Sequence, residues 1–349
     1  MKYRLIVFIF AVSALLVGGP RNSSGQNWEQ LLQKLYPAAK KEGAVHFNGA
    51  GGGGIEIGGK EGIEKFSKRF PGINIVVSGL SSSKLYPRVI AEARGGSLTV
   101  DMDVEDPPAV KPMIERGLIA MLDPKELTDK PDHFRFVFDN KLPVSRHQIT
   151  HLAYNTKAVS KNDLPKTYED LLNPRWKGRL AFDGRGMWGF THLRILWGED
   201  KFWKFINGLT AQKPLWATRC NSATDKVVTG EAQIGCVSMT SLDELKEKGA
   251  PIELLPISPM FVRIELFVPF KNPPHPNATK LLIGWTMSPE GIESMNKAGS
   301  GMVVPGTPIY DVLKAAHVEL YFADRLTPEQ LDLVQKTREE MAKAWGAVK

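Results

Sequence analysis

A glycine-rich segment near the start of the chain has a residue spacing that could bind a nucleotide. The segment reads HFNGAGGGGIEIGG over residues 46–59, and Gly49, Gly51 and Gly54 give the pattern Gly-x-Gly-x-x-Gly. It follows a short apolar run and precedes a helical pattern, which is the order found in dinucleotide-binding folds. Those folds also need an acidic residue about twenty positions later to hold the ribose hydroxyls. The next strand ends as VSGL at residues 77–80, without an acid, so we predict no nucleotide cofactor.

Two further groups of side chains could bind a metal ion, but neither has the spacing of a site. His147 and His151 are four positions apart on a strand-like segment, where their side chains do not converge on one ion. The acidic run at residues 101–106 lacks the glycine turn and the distal glutamate of an EF-hand loop. The sequence contains neither a Gly-x-Ser-x-Gly elbow nor a zinc-protease motif. We therefore predict no catalytic residue, no metal site and no cofactor.

Small or polar residues follow several predicted strands at the point where a helix begins. In open α/β sheets the carboxyl ends of the strands face the ligand crevice. Free N–H groups at helix starts, with hydroxyl groups beside them, favour anions. Each such loop alone is an ordinary helix cap, but their recurrence favours a ligand cleft. The loops are at residues 81–83, 183–186, 219–222 and 238–241.

The elements that carry these loops alternate between strand and helix. Strands are predicted at Ala44–Phe47, Ile73–Val77 and Leu98–Val104, with helical patterns between them. A second set of strands and helices follows from about residue 150, including one long helix over Phe190–Leu209. Such alternation predicts βαβ units, a parallel sheet and an α/β fold. A chain of 349 residues normally forms two domains.

The N-terminus has the order of regions found in secretory signal peptides. A basic start is followed by the apolar run Leu5–Val17, and small residues then offer a cleavage site. We expect residues 1–25 to be removed and the mature protein to work in the periplasm; an uncleaved N-terminal anchor is the alternative. Loss of three basic residues lowers the formal charge from +7 to about +4. The remaining charges are scattered, which argues against nucleic-acid binding.

The chain contains two cysteines, Cys220 and Cys236. In an oxidising compartment two cysteines often form a disulfide. Cys236 lies in an apolar run, where a free cysteine also packs as a small hydrophobic residue. The sequence leaves both possibilities open.

A specific motif occupies residues 153–182, which read AYNTKAVSKNDLPKTYEDLLNPRWKGRLAF. It resembles the entry into the second lobe of the extracellular solute-binding proteins of bacterial ABC importers. The segments KRFPGINIVVSG at 68–79 and TGEAQIGCVS at 229–238 also match the family pattern. The nearest branch contains binders of ferric ion, thiamine, polyamines, phosphonates and sugar phosphates.

This resemblance implies a two-lobed type II periplasmic-binding fold, in which each lobe is a mostly parallel sheet flanked by helices and the ligand cleft lies between the lobes. The expected first lobe comprises residues 26–151 and 264–349, and the second comprises residues 152–263. Strand-like crossings near 152–155 and 263–267 would join them. A monomer of this kind closes around a small-molecule ligand and docks transiently on an ABC permease in the inner membrane.

The resemblance also implies which residues bind the ligand. In ferric-ion binders of this branch two adjacent tyrosines ligate the metal, but Thr240 and Ser241 stand at that place here, which disfavours iron. Arg185 and Arg219 suit a phosphonate, a phosphorylated compound or a carboxylate, since guanidinium binds these groups bidentately. Arg263 could also reach the cleft. The expected ligand-binding residues are Asn48, Gly51, Gly52, Ser81, Ser82, Tyr154, Asp183, Arg185, Trp188, Arg219, Asn221, Thr240 and Ser241.

Three alternatives remain open at this stage. A ferric-iron transport protein is one, although the tyrosine pair is missing. An enzyme on the same fold is another, and it would need a nucleophile such as Cys220 in the cleft. The third is a binding protein that serves a sensor or chemoreceptor instead of a permease.

Overall fold

The structure is a computed structural model that describes residues 24–49, 52–301, 303 and 307–346. The predicted signal peptide and Gly51 lie outside these residues, apart from Ser24 and Gly25, which begin the first helix. The described chain has an α/β fold with a mixed sheet, in which parallel pairs within each lobe meet antiparallel pairs between the lobes, and this confirms the predicted fold class. No helix in the described ranges is long and apolar enough to cross a membrane.

The first lobe, as we name it here, is built around three parallel strands in the order β2-β1-β3. Alternation places Val45 and Phe47 of β1 in the core, where they pack with Phe66 and Trp285. The strands are β1 (Ala44–Asn48), β2 (Asn74–Ser78) and β3 (Met102–Glu105), and the helices are α1 (Ser24–Glu42), α2 (Gly59–Arg69), α3 (Ser82–Arg94) and α4 (Pro107–Glu115).

The second lobe has three parallel strands in the order β8-β6-β7. The long helix predicted over 190–209 is two helices in the structure, because Gly198 adopts φ 78° and ψ 172° between them. This is backbone that L-residues rarely adopt. The strands are β6 (Leu180–Asp183), β7 (Leu215–Ala217) and β8 (Ile234–Ser238), and the helices are α5 (Trp188–Trp197), α6 (Glu199–Ala211), α7 (Cys220–Thr229) and α8 (Met239–Glu247).

Two long antiparallel strands connect the lobes. They are β5 (Leu142–Asn155) and β10 (Met260–Pro269), and they pair with each other between the two groups of parallel strands. β5 begins ten residues before the predicted crossing at 152, so the crossing is one continuous strand and not a short link. Short strands attach at its ends: β4 (Phe136–Val137) and β9 (Ile252–Leu254) on β5, and β11 (Leu320–Phe322) on β10.

The C-terminal helices pack against both lobes. α9 packs on α1 in the first lobe, while α12 contacts both α4 and α5. Trp345 of α12 stacks on Phe182 of β6, so the end of the chain contributes to the core of the second lobe. The division at residues 152 and 263 stays a prediction. These helices are α9 (Pro276–Thr286), α10 (Pro289–Lys297), α11 (Pro308–Ala315) and α12 (Pro328–Trp345).

Short 3-10 helices complete the described secondary structure. They occupy Ile55–Ile57, Pro124–Glu126, Pro131–His133, Lys161–Asp163, Glu169–Leu172, Pro174–Trp176 and Ala323–Arg325. The first of them follows the glycine-rich loop. A Cβ at Gly58 would lie 2.7 Å from the Cβ of Ser294 on α10, and Gly58 has φ 86°. At this position glycine is needed for close packing of the loop against α10.

Candidate functional site

The strand register places a cleft at the crossing between the lobes. Glu105, the last residue of β3, pairs with Leu266 of β10, and Ser238, the last residue of β8, pairs with Thr150 of β5. Because the strands within each lobe are parallel, the carboxyl ends of both groups reach the same crossing segment. This is the place where open α/β sheets bind ligands.

The crossing presents a polar face that forms the floor of the cleft. Arg146 lies opposite Glu265, and Gln148 lies opposite Arg263. Alternate residues of a strand share a face, so these four side chains form one surface. Charged residues at alternate positions of an otherwise apolar strand were a signal available in the sequence, but only Arg263 was considered from it.

The positive charge of Arg146 is compensated by two carboxylates within the protein. Its Nε donates to Glu265 Oε2 at 2.5 Å, and its Nη2 lies 3.4 Å from Glu56 Oε1. Burial acts to lower the pKa of Arg146, but Glu265 and Glu56 outweigh it, so the pKa is raised. This guanidinium stays charged and holds the crossing to the segment after the glycine loop.

Arg263 joins the floor to both lobes. Its Nη2 donates to both carboxylate oxygens of Asp106 at 2.6 and 2.7 Å, and its Nη1 donates to Gln148 Oε1 at 3.1 Å. The guanidinium stacks 3.7 Å from the ring centroid of Trp188, at the start of α5. Arg263 therefore reaches the cleft, but Asp106 already pairs with its charge.

Trp188 lies between two arginines. The guanidinium of Arg338, on α12, is 4.6 Å from the same ring. Burial lowers the pKa of Arg338, and the nearby Asp183 partly offsets this effect. Arg185 donates to both oxygens of Asp183, at 3.0 and 2.8 Å, while nearly half of its side chain stays exposed. Arg338 was missed because it is about 150 positions away along the chain.

The helices α5 and α7 begin at this edge without a side-chain cap. Met187 and Arg219 occupy their N-cap positions, and neither side chain accepts a hydrogen bond from the helix. Arg219 is exposed, as is Asn221 in the first turn of α7, and Arg219 forms no ion pair within the described residues. Cys220, between them, is bonded to Cys236 of β8, with sulfur atoms 2.01 Å apart and Cα atoms 5.3 Å apart.

A cavity of about 370 Å³ lies between the floor and the start of α8. Thr240 and Ser241 line it together with Arg146, Gln148 and Asn296. The hydroxyl of Thr240 donates to the carbonyl of Gly299 at 2.9 Å, so the second lobe contacts the segment after α10. The Ser238 hydroxyl accepts from the backbone N–H of Ser241 at 3.2 Å and thereby caps α8.

The first-lobe wall uses its polar groups internally. The Asn48 amide donates to Asp103 Oδ1 at 2.8 Å and to the Leu80 carbonyl at 2.9 Å, and its oxygen accepts from Ser78 Oγ at 2.9 Å. Asn48 is 2% exposed. Burial raises the pKa of Asp103 to about 7, although the Asn48 amide opposes this effect. Burial also raises the pKa of Glu105, and Asp106 adds to the rise.

The remaining predicted residues fall into two groups. Ser81 is exposed and its hydroxyl pairs with Ser83 at 2.9 Å, and Ser82 begins α3 beside Glu105. Gly52 is exposed with φ 75°, next to Gly79. Tyr154 is different, because it is 2% exposed in the core of the second lobe and pairs with Ile234, at the opposite end of β8 from the cleft.

The chain belongs to the family of bacterial extracellular solute-binding proteins, whose model matches residues 99–316. Members of this family bind a small solute and dock on an ABC permease. The resemblance seen in the sequence is therefore confirmed at the level of the family. None of the curated proteins compared with this chain matches it.

Solved structures with the same fold carry different ligands. Iron-bound HitA from Pseudomonas aeruginosa shares 19% identity at a TM-score of 0.66, over 87% of this chain and 99% of that one. A Trichodesmium protein in complex with iron and citrate shares 17% identity at a TM-score of 0.68, over 88% of this chain and 100% of that one. The spermidine/putrescine transporter's substrate-binding protein PotD from Streptococcus pneumoniae, in complex with calcium and HEPES, shares 14% identity at a TM-score of 0.62. The match covers 86% of this chain and 99% of that one. At these identities the likeness establishes the fold and leaves the ligand open.

Proposed function

We propose that this protein is the periplasmic substrate-binding component of an ABC importer and captures a small organic anion, such as a phosphonate, a phosphorylated compound or a carboxylate. One observation carries the ligand class. The uncapped starts of α5 and α7 meet the same edge of the cleft, with Arg185 and Arg219 beside them. Uncapped helix starts supply N–H donors and the positive end of the helix dipole, both of which favour an anion.

Within this site the residues have different roles. Arg219 supplies the exposed charge, and Asn221 and Ser241 supply neutral donors from the same lobe. The Thr240 hydroxyl donates to the Gly299 carbonyl and therefore offers the ligand only an acceptor oxygen. Arg185 is positioned by Asp183, and Trp188 forms an aromatic wall fixed by Arg263 and Arg338. Asn48, Gly52, Ser81 and Ser82 shape the opposite wall. Tyr154 is left out of the proposed site because it is buried in the core.

Capture works by closure of the two lobes. A ligand that contacts both walls binds the closed form more tightly than the open one, and so shifts the population toward closure. The hydrogen bond from Thr240 to Gly299 already joins the second lobe to the segment after α10 in this structure. The closed monomer then docks on the permease. The leader at residues 1–25 directs the protein to the periplasm.

Ferric iron is the alternative favoured by two of the similar structures. A hard trivalent ion needs anionic oxygen ligands such as phenolates, and Thr240 and Ser241 cannot supply them. Tyr86 is the tyrosine beside Asp103 in the first lobe, and burial raises its pKa, as does the charge of Asp103. The sequence has no tyrosine adjacent to Thr240 and Ser241, so we expect no tyrosinate-to-iron colour when iron and a synergistic anion are added to the purified protein.

An enzyme on this fold, or a binding protein for a sensor, would be distinguished by other observations. The sulfur of Cys220 is engaged in a disulfide and so offers no thiolate, which argues against the nucleophile considered from the sequence. A position of the gene beside permease and ATPase genes would support transport over sensing.

A thermal-shift screen tests the ligand class. The probes are organic acids, phosphonates, sugar phosphates, polyamines and ferric citrate. A true ligand at about 100 times its Kd adds about 2.7 kcal/mol to the free energy of unfolding, which gives a clear rise in Tm. We expect the rise with at least one organic anion. Stabilisation by polyamines alone, or by ferric citrate but not citrate, would overturn the proposal.

A further inference from the structure

Three side chains converge at the edge of the first lobe that lies away from the cleft. His46 is on β1, Asp101 immediately precedes β3, and His275 is the N-cap residue of α9. One potential ligand atom from each lies within 4.8 Å of the others. The imidazole rings of His46 and His275 have centroids 5.0 Å apart. We propose that these residues bind one divalent transition-metal ion of the Zn²⁺ type.

The hydrogen bonds around the cluster orient it for this role. The Nδ1 atom of His46 lies 2.8 Å from the carbonyl oxygen of Thr99. Since a carbonyl can only accept, Nδ1 carries the hydrogen and Nε2 keeps its lone pair, which makes Nε2 the proposed ligand atom of His46. Metal-binding histidines are held in this way, by a carbonyl or carboxylate on the other ring nitrogen.

Asp101 and His275 form the other half of the site. Asp101 is fully buried, and the backbone N–H groups of His46 and His275 donate to its carboxylate at 2.6 and 2.7 Å. Its Oδ2 lies 2.9 Å from His275 Nδ1. In tetrahedral coordination two ligand atoms, each about 2.1 Å from the ion, are about 3.4 Å apart, so these two atoms separate by about 0.5 Å when the ion binds. The ion takes the place of the hydrogen between them, and His275 adopts its other tautomer with that hydrogen on Nε2.

The donor set determines the class of ion. Two imidazole nitrogens and one carboxylate oxygen suit Zn²⁺ and its neighbours, whereas Mg²⁺ and Ca²⁺ prefer oxygen ligands alone. The His275 side chain is 17% exposed and His46 is partly exposed, so an ion and its water ligands can enter from solvent. Asp101 precedes Glu105 by four strand residues, or about 13 Å, and His46 precedes the buried Asn48 by two, or about 7 Å. The site is therefore separate from the solute cleft, and its role is to tie α9 to β1 and β3.

Metal binding to the purified, tag-free protein at neutral pH tests this proposal. Zn²⁺ and Co²⁺ are titrated by calorimetry and by visible absorption, with Mg²⁺ and Ca²⁺ as comparison ions. The variants are His46→Gln and His275→Gln, and His133→Gln is the matched control because His133 is exposed and lies outside the cluster. Circular dichroism confirms that each variant folds.

We expect one equivalent of Zn²⁺ to bind, with a d–d absorption band for Co²⁺. Loss of even an outer-shell partner weakens metal binding about 10–100-fold, so loss of either histidine ligand should weaken Zn²⁺ binding at least 10-fold. His133→Gln should leave it unchanged. Absence of binding by the wild type, or equal binding by folded His46→Gln and His275→Gln, would show that the cluster is only a hydrogen-bonded helix cap. Either result leaves the anion proposal for the cleft unaffected.

Discussion

The two walls of the cleft differ in how they use their polar groups. In the first lobe, Asn48 and Asp103 bond to each other and to neighbouring backbone, and Glu105 is partly buried. In the second lobe, Arg219 and Asn221 are exposed at the uncapped start of α7. Groups that are already paired inside a protein contribute to its stability, whereas free donors remain available to a ligand. The first wall should therefore govern stability and shape, and the second wall ligand affinity.

The largest expected effect is the loss of second-lobe stability in acid. Burial lowers the pKa of His151 to about 4 and that of His192 to about 3. Both stay neutral in the folded protein at pH 5, while the unfolded chain takes up protons below about pH 6.5. Stability is thus present above that pH and is lost as the pH falls toward 4. Between pH 7 and 5 the loss is about 4 kcal/mol for the pair.

Urea unfolding at pH 7 and at pH 5, followed by tryptophan fluorescence, measures the pH dependence of stability. The difference between wild type and variant isolates the histidine contribution, because protonation of Asp103 acts in the opposite direction. The variant His151→Gln should depend less on pH than the wild type, while His133→Gln, at an exposed position, should behave like the wild type. Equal pH dependence in His151→Gln and the wild type would refute the assignment to His151.

The disulfide should give the next largest effect. Cys220 and Cys236 are 16 positions apart, and a loop of that length is associated with about 3 kcal/mol of stabilisation. The variant Cys220→Ala/Cys236→Ala should lower the free energy of unfolding by about that amount in denaturant titrations. A reducing agent should destabilise the wild type and leave the double variant unchanged. If the reductant affects neither protein, the bond does not contribute to stability.

A change in the first wall should affect stability and leave affinity nearly constant. Asn48→Ala removes the partner of Asp103 and of the Leu80 backbone, which should cost about 2 kcal/mol. Asn74→Ala, at an exposed position on β2, is the matched control. Thermal unfolding measures the stability of both variants, and calorimetry measures their affinity for the anion found by screening. A loss of affinity without a loss of stability would reverse the roles assigned to the two walls.

A change in the second wall should have the smallest energetic effect and the clearest effect on binding. Arg219→Gln removes one charge-assisted contact, which corresponds to about 1.5 kcal/mol or about 10-fold in Kd. Its Tm without ligand should match that of the wild type, because Arg219 is exposed. Arg175→Gln is the control, since Arg175 is exposed and pairs with Asp163 instead. Unchanged affinity in Arg219→Gln would remove this residue from the site.

The class of protein and the positions of most loops could be predicted from the sequence, whereas the contacts within the cleft could not. The alternation of strands and helices, and the stretch at 153–182, predicted the α/β fold and the family, because both depend on local patterns and neighbouring residues. The prediction of one long helix over 190–209 was wrong, because Gly198 adopts a backbone conformation that ends α5 despite the helical periodicity of the sequence. Tyr154 was expected in the cleft, but the direction of β5 places it at the other end of the second lobe.

The amino-acid sequence by itself determined the alternating elements, the loops that end the strands and the hydroxyl residues Thr240 and Ser241 at the start of α8. Only the tertiary structure decided which charges are free. Arg263 meets Asp106, Arg146 meets Glu265, and Arg338 approaches Trp188 across separations of more than a hundred residues. The same holds for His46, Asp101 and His275, whose convergence no spacing could predict. Charge pairing depends on distances of a few ångströms, and those distances are set by how the sheet and helices pack.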